Sequence, residues 1–70
     1  METIYLRDEF IKLVQELKAA GVVDSGVEAK EVIVEGLVFV NGETETRRGR
    51  KLYEGDVVSF ENQTIKIEKF

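Results

Sequence analysis

Four of the chain's ten Lys and Arg residues fall within five positions: Arg47, Arg48, Arg50 and Lys51, in TRRGRKL. Each guanidinium presents a planar fork of donors that matches phosphate oxygens bidentately, so grouped arginines are what a phosphate backbone calls for. Gly49, in the middle of the run, lets the backbone turn sharply or approach a ligand closely. The competing reading is a solvated loop whose cations balance Glu43 and Glu45 across a hairpin. The types and spacing alone leave both open.

Other constellations carry less chemistry. The chain has no histidine and no cysteine, which removes the commonest general base, thiolate metal sites and disulfides. No nucleophile and base pair can be assembled from what remains, so no catalytic residue is assigned and an enzyme is not expected. Glu28, Glu31 and Glu35 share one helical face, but nothing completes a metal or acid-base site around them, and a solvated face is the expectation. No metal or cofactor is expected. Free N–H groups at Ser25, Gly26 and Val27 would make a weak anion site at the start of a helix, with Lys30 one turn further on the exposed side. Tyr5 and Tyr53 are read as half-buried packing rather than as base-stacking platforms.

The elements that must position these residues follow from periodicity. TIYL reads as a short strand with Ile4 and Leu6 on one face. A helix is expected from about Asp8 to Ala20, with Phe10, Leu13, Val14, Leu17 and Ala20 inward and Glu9, Lys12, Glu16 and Lys18 mostly outward. Gly21 stands where a helix C-terminal glycine belongs. A second helix spans DSGVEAKEVIVEG, opened by a Ser25 and Glu28 capping box and ended by Gly36, with Val27, Ala29, Val32 and Ile33 available to the core. Asn41-Gly42 marks a hairpin, because a type I′ turn needs positive φ at both positions. VVSFENQTIKIEKF reads as another, with Val58, Phe60, Ile65 and Ile67 inward, and YEGD as a turn around Gly55. The expected fold is α+β: two N-terminal helices packed on a small curved antiparallel sheet, in a single domain spanning residues 1–70.

Charge and length bound the function. Net charge is −4, yet residues 1–45 carry −6 and residues 46–70 carry +2. No run approaches the roughly 20 apolar residues that cross a bilayer, and METIYLRDEF does not read as a signal peptide. A cytoplasmic protein with no membrane partner is expected.

The stretch VDSGVEAKEVIVEGLVFVNGETETRRGRKLYEGDVVSF resembles the S4 RNA-binding domain, also called the alpha-L motif. The matching residues are Ser25, Ala29-Lys30, Gly36, Val38-Phe39-Val40-Asn41-Gly42 and Gly55-Asp56-Val57-Val58, about half the chain. RRGRKL in this position is similar to small stand-alone bacterial members. The resemblance implies binding of structured RNA, of the ribosomal or transfer RNA class, through the helix pair and the adjoining loop. Carried over by position, the RNA-binding residues are Lys12, Ser25, Lys30, Arg47, Arg48, Arg50 and Lys51. Gly26 stands where many members have Arg, which removes one expected phosphate contact, and LRDEF is a loose counterpart of their Arg-Leu-Asp start.

The reading that results is a non-catalytic RNA-binding protein that clamps phosphates of structured RNA, monomeric, with ribosomal particles as further partners. The alternative is a protein-interaction module whose acidic helical face docks a basic partner. A sulfur-carrier reading, suggested by EGDVVSF, fails because the chain ends KIEKF rather than Gly-Gly.

Overall fold

The computed structural model describes residues 2–70. In chain order the elements are β1 (Glu2–Leu6), β2 (Ile11–Lys12), α1 (Leu13–Ala19), α2 (Gly26–Val34), β3 (Phe39–Val40), β4 (Glu43–Thr44), β5 (Lys51–Leu52), β6 (Val57–Phe60) and β7 (Gln63–Lys69). The fold is α+β, with both helices on one face of a sheet ordered β1-β7-β6-β3-β4. The expected antiparallel pairing runs from β7 through β6 and β3 to β4. At the other edge β1 lies parallel to β7, with Ile4 opposite Ile67, so the sheet is mixed. Alternation of side chains reveals a strand but not the direction of its neighbour, which is why TIYL showed no sign of this.

The inward residues of β6 and β7 are those the alternation picks out: Val58, Phe60, Ile65 and Ile67 are all buried. They meet Leu13 and Leu17 of α1, Ala29 and Ile33 of α2, and Val38, Val40 and Leu52 in one apolar cluster. Both hairpins turn through left-handed backbone. Asn41 and Gly42 have φ of 54° and 84°, as Asn-Gly demands, whereas the β6–β7 turn achieves the same with Glu61 and Asn62. Gly21, Gly36 and Gly55 take positive φ where caps and a turn were expected.

Three expectations need correction. The first helix begins at Leu13, not Asp8, because Ile11 and Lys12 pair antiparallel with Leu52 and Lys51. A tertiary pairing has overridden a helical periodicity. Phe10 therefore precedes the helix and is only half-buried. Val27, expected in the core, is 68% exposed. Finally, Glu16 was placed outward by residue type. With Leu13, Leu17 and Ala20 it lies on the inward side of α1, fully buried, and neither carboxylate oxygen has a hydrogen-bond partner among the described residues. Burial, with a smaller push from Glu2, raises its pKa to about 7.

Candidate nucleic-acid interface

The basic run is a connection between β4 and β5, and the sequence ties it down at several points. Glu45 donates its backbone N–H to the Val38 carbonyl (2.9 Å), and at the far end Leu52 is fully buried beside its strand partner Ile11. Between these anchors Arg50 donates its backbone N–H to the Arg47 carbonyl (3.2 Å), closing a turn. The Arg50 carbonyl then accepts from the backbone N–H of Leu13 at 2.8 Å. Helix α1 has no side-chain cap, so the loop itself satisfies one of its free N-terminal donors. Gly49 keeps φ outside the left-handed region, so the turn does not require glycine; what the missing side chain leaves is open space.

The carboxylate of Glu45 organises the loop from below. It is 5% exposed and accepts from the Arg47 backbone N–H, from Arg47 Nε and Nη2, and from Arg50 Nη1. The Arg47 guanidinium and its backbone N–H, with Arg50, overcome the cost of burial and hold the Glu45 carboxyl down to about 2. The ion-pair reading of the run is thus right for two of its four cations. The Arg47 side chain nonetheless remains 72% exposed, and a guanidinium has five N–H donors, of which Glu45 engages two.

Above that base lies a depression of about 690 Å³ lined by Lys12, Val14, Gln15, Lys30, Thr46, Arg47, Arg48 and Gly49. Four of the seven residues expected to contact RNA therefore converge from β2, α2 and the loop. No carboxylate lines the depression. Arg48 forms no ion pair or side-chain hydrogen bond among the described residues. In the β2–β5 ladder Lys12 stands directly opposite Lys51, an arrangement of like charges that costs stability.

The remaining three residues stand apart from the depression. Arg50 is turned toward Glu45 and also donates from Nε to the Lys51 carbonyl at 3.2 Å. The Lys51 ammonium lies 4.7 Å from the centre of the Phe10 ring, a cation–π contact. The Ser25 hydroxyl accepts from the Glu28 backbone N–H (3.1 Å), and the Glu28 carboxylate reaches back to the Asp24 N–H (2.8 Å). Ser25 is therefore first a helix cap, and its box serves the Glu28 and Asp24 N–H groups, not the Ser25, Gly26 and Val27 donors expected to be free. Gln15 and Thr46 were not singled out from sequence, and Glu45 was named only as a balancing charge, not as the residue that organises the loop. Gln15 lies three residues after Lys12, a spacing that does mark a shared helical face.

A second piece of the motif is structural. The Asn41 amide donates to Asp56 Oδ1 (3.0 Å) and its carbonyl oxygen accepts from the Val57 N–H (2.9 Å), while Asp56 Oδ2 accepts from the Tyr53 N–H (2.8 Å). The Asn-Gly and Gly-Asp elements thus meet and lock the two turns together.

With this geometry, the comparison with known proteins is unambiguous. Residues 4–68 match the family model of the S4 domain, and the chain belongs to that family. It is 52% identical over 58 residues to the probable ribosome maturation protein RlbA of Bacillus subtilis, covering 83% of this chain and 82% of that one. It is 39% identical over 57 residues to the putative RNA-binding protein YbcJ of Escherichia coli, covering 81% of each. The solution structure of YbcJ, described as an alpha-L motif involved in RNA binding, superposes with a TM-score of 0.75 at 36% identity, over 97% of this chain and 87% of that one. The 30S ribosomal protein S4e of Thermoplasma acidophilum shares the fold, with a TM-score of 0.68 at 22% identity over 83% of this chain and 31% of that one. Among the described residues no helix is long and apolar enough to cross a membrane.

Proposed function

We propose that the protein binds structured RNA, of the ribosomal or transfer RNA class, by clamping phosphates in the depression between α1, α2 and the basic loop. The observation that carries this is the convergence of Lys12, Lys30, Arg47 and Arg48 on one carboxylate-free depression in a chain of net charge −4. Exposed cations held together from separate elements repel one another, so their gathering is explained by an anionic ligand. Over a Debye length of about 8 Å the acidic remainder is screened and does not cancel the patch. The names of the relatives, a probable ribosome maturation protein and a putative RNA-binding protein, support the same reading.

In this mechanism Arg48, Lys30 and Lys12 supply mobile contacts, while Arg47 is held ready by Glu45. Arg50 and Lys51 act behind them, one fixing the loop and the other adding charge at its rim. Duplex RNA is read mostly by shape and by phosphate and 2′-hydroxyl contacts, so the clamp itself carries little base preference. The chain acts without catalysis, in the cytoplasm, as a monomer on its RNA.

The test is fluorescence anisotropy with ribosomal RNA fragments and transfer RNAs over a range of salt, for the wild type and for Lys30→Ala/Arg48→Ala. Neutralising four to six phosphates gives a slope of log K against log salt of about −3 to −5, and the double variant should flatten it by roughly 2. Binding by the double variant that matches the wild type at every salt concentration would sink the assignment.

A further inference from the structure

A second, smaller depression of about 290 Å³ adjoins the first and shares two of its residues, Lys30 and Arg48; its other walls are Glu31, Val34 and Glu35. That volume is near the roughly 300 Å³ at which small-ligand pockets begin. Its composition differs from that of the phosphate groove. Val34 is 59% exposed, an apolar patch at the outer surface of α2, with Glu31 and Glu35 on the same helical face beside it. Arg48 lines the same hollow as the two carboxylates yet makes no ion pair with either among the described residues, so opposite charges face one another without closing.

We infer that this hollow receives one unpaired nucleobase of the RNA, a guanine, whose backbone phosphate lies in the adjoining groove. The inference rests on the RNA reading of that groove. An apolar floor with an unpaired guanidinium beside it suits a flat, π-rich group, because Arg stacks on bases and Val34 gains from excluding water. Ionised carboxylates accept hydrogen bonds and cannot donate them, so Glu31 and Glu35 select for donors. Of the four bases only guanine presents two adjacent donors on its Watson–Crick edge, N1–H and the N2 amine, which one carboxylate accepts bidentately. Adenine and cytosine set a ring acceptor beside their amine, and uracil flanks its single N–H with carbonyls; each would meet the carboxylate with a lone pair. The continuity of the two depressions through Lys30 and Arg48 supplies the phosphate end of the same nucleotide.

The test uses fluorescein-labelled RNA hairpins identical except for one bulged nucleotide: guanosine, inosine, adenosine or uridine. Anisotropy is measured for the wild type, Glu31→Gln, Glu35→Gln and Arg48→Lys. The wild type should bind the guanosine bulge roughly tenfold more tightly than the adenosine one, with inosine, which lacks the N2 amine, between them. Glu31→Gln or Glu35→Gln should erase that ratio while leaving or raising affinity overall, since each removes a negative charge. Arg48→Lys should keep the salt slope but shrink the advantage of a bulge over a plain stem. If no hairpin binds even at low salt, the RNA reading has failed and the inference with it. If every hairpin binds alike, or a guanosine preference survives both Gln variants, the groove stands and the base site is wrong, leaving this face of α2 for a protein partner.

Discussion

Glu45 holds Arg47 through three hydrogen bonds, from the backbone N–H at 3.0 Å, from Nε at 2.9 Å and from Nη2 at 3.0 Å. The pair makes the loop a positioned element instead of a flexible cationic tether. Because the folded chain keeps this carboxyl down at about 2, against 4.5 when unfolded, its contribution is fully present above about pH 4.5 and is lost as pH falls toward 2. Glu45→Gln replaces an acceptor pair with an amide that sets a donor against the guanidinium. We expect a lower Tm near neutral pH and a shallower acid-side decline, read from thermal melts across acid pH. A variant with the wild-type profile would show that the loop is held by its backbone bonds alone.

Glu16 acts in the opposite direction. Its folded-state pKa of about 7, against 4.5 unfolded, makes the folded state the better proton binder between those values. Stability is full below about pH 4.5 and declines as pH rises through 7, by on the order of 3 kcal/mol. Combined with Glu45, this places the stability maximum on the acid side of neutrality. Glu16→Met, which keeps the length of the side chain and removes the charge, should raise Tm at alkaline pH and leave little slope between the two values. A wild-type Tm that is flat across this range would mean Glu16 finds a partner that holds its charge.

The hydrogen bond between Asn41 and Asp56 joins residues fifteen positions apart. Removing the Asn41 side chain also strands the Val57 N–H, and removing that of Asp56 strands the Tyr53 N–H. These groups are exposed, so each Ala variant should cost only about 1 kcal/mol. The double variant should cost clearly less than the two singles together, because the first removal already undoes the shared bond. Strict additivity in denaturant titrations would show that the two turns are independent.

These three sites show what the sequence could carry. The Asn41-Gly42 turn, the Ser25–Glu28 box and the inward residues of β6 and β7 were legible because each rests on local geometry. The basic patch was legible as a composition, but its division was not. Arg47 and Arg50 are tied to Glu45, whereas Arg48 forms no ion pair among the described residues, and that depends on which acid the fold buries beneath the loop. Glu16 shows the same limit from the other side: its position in the helical period pointed inward, and its charge pointed outward. The late start of α1 was hidden because Ile11 and Lys12 find their strand partners some forty residues away.

Gly26 offers a gain-of-function test of the interface. The resemblance to the S4 domain implies an Arg at that position, and nothing in the backbone forbids one here. A Cβ added at Gly26 would come no closer than 4.0 Å to Lys18 Cδ and Val14 Cγ1, and φ there is not left-handed. Val14 also lines the phosphate groove, so an arginine at the first position of α2 would extend the cationic surface toward it. Near the positive end of the helix dipole the added charge costs about 0.3–1 kcal/mol of stability, a modest penalty. Gly26→Arg should therefore bind ribosomal RNA fragments several-fold more tightly at moderate salt. The slope of log K against log salt should steepen by about 1, the signature of one further phosphate contact. Tighter binding with an unchanged slope would point to better helix order instead of a new contact. No gain at all would place the RNA on the loop side only, away from the start of α2.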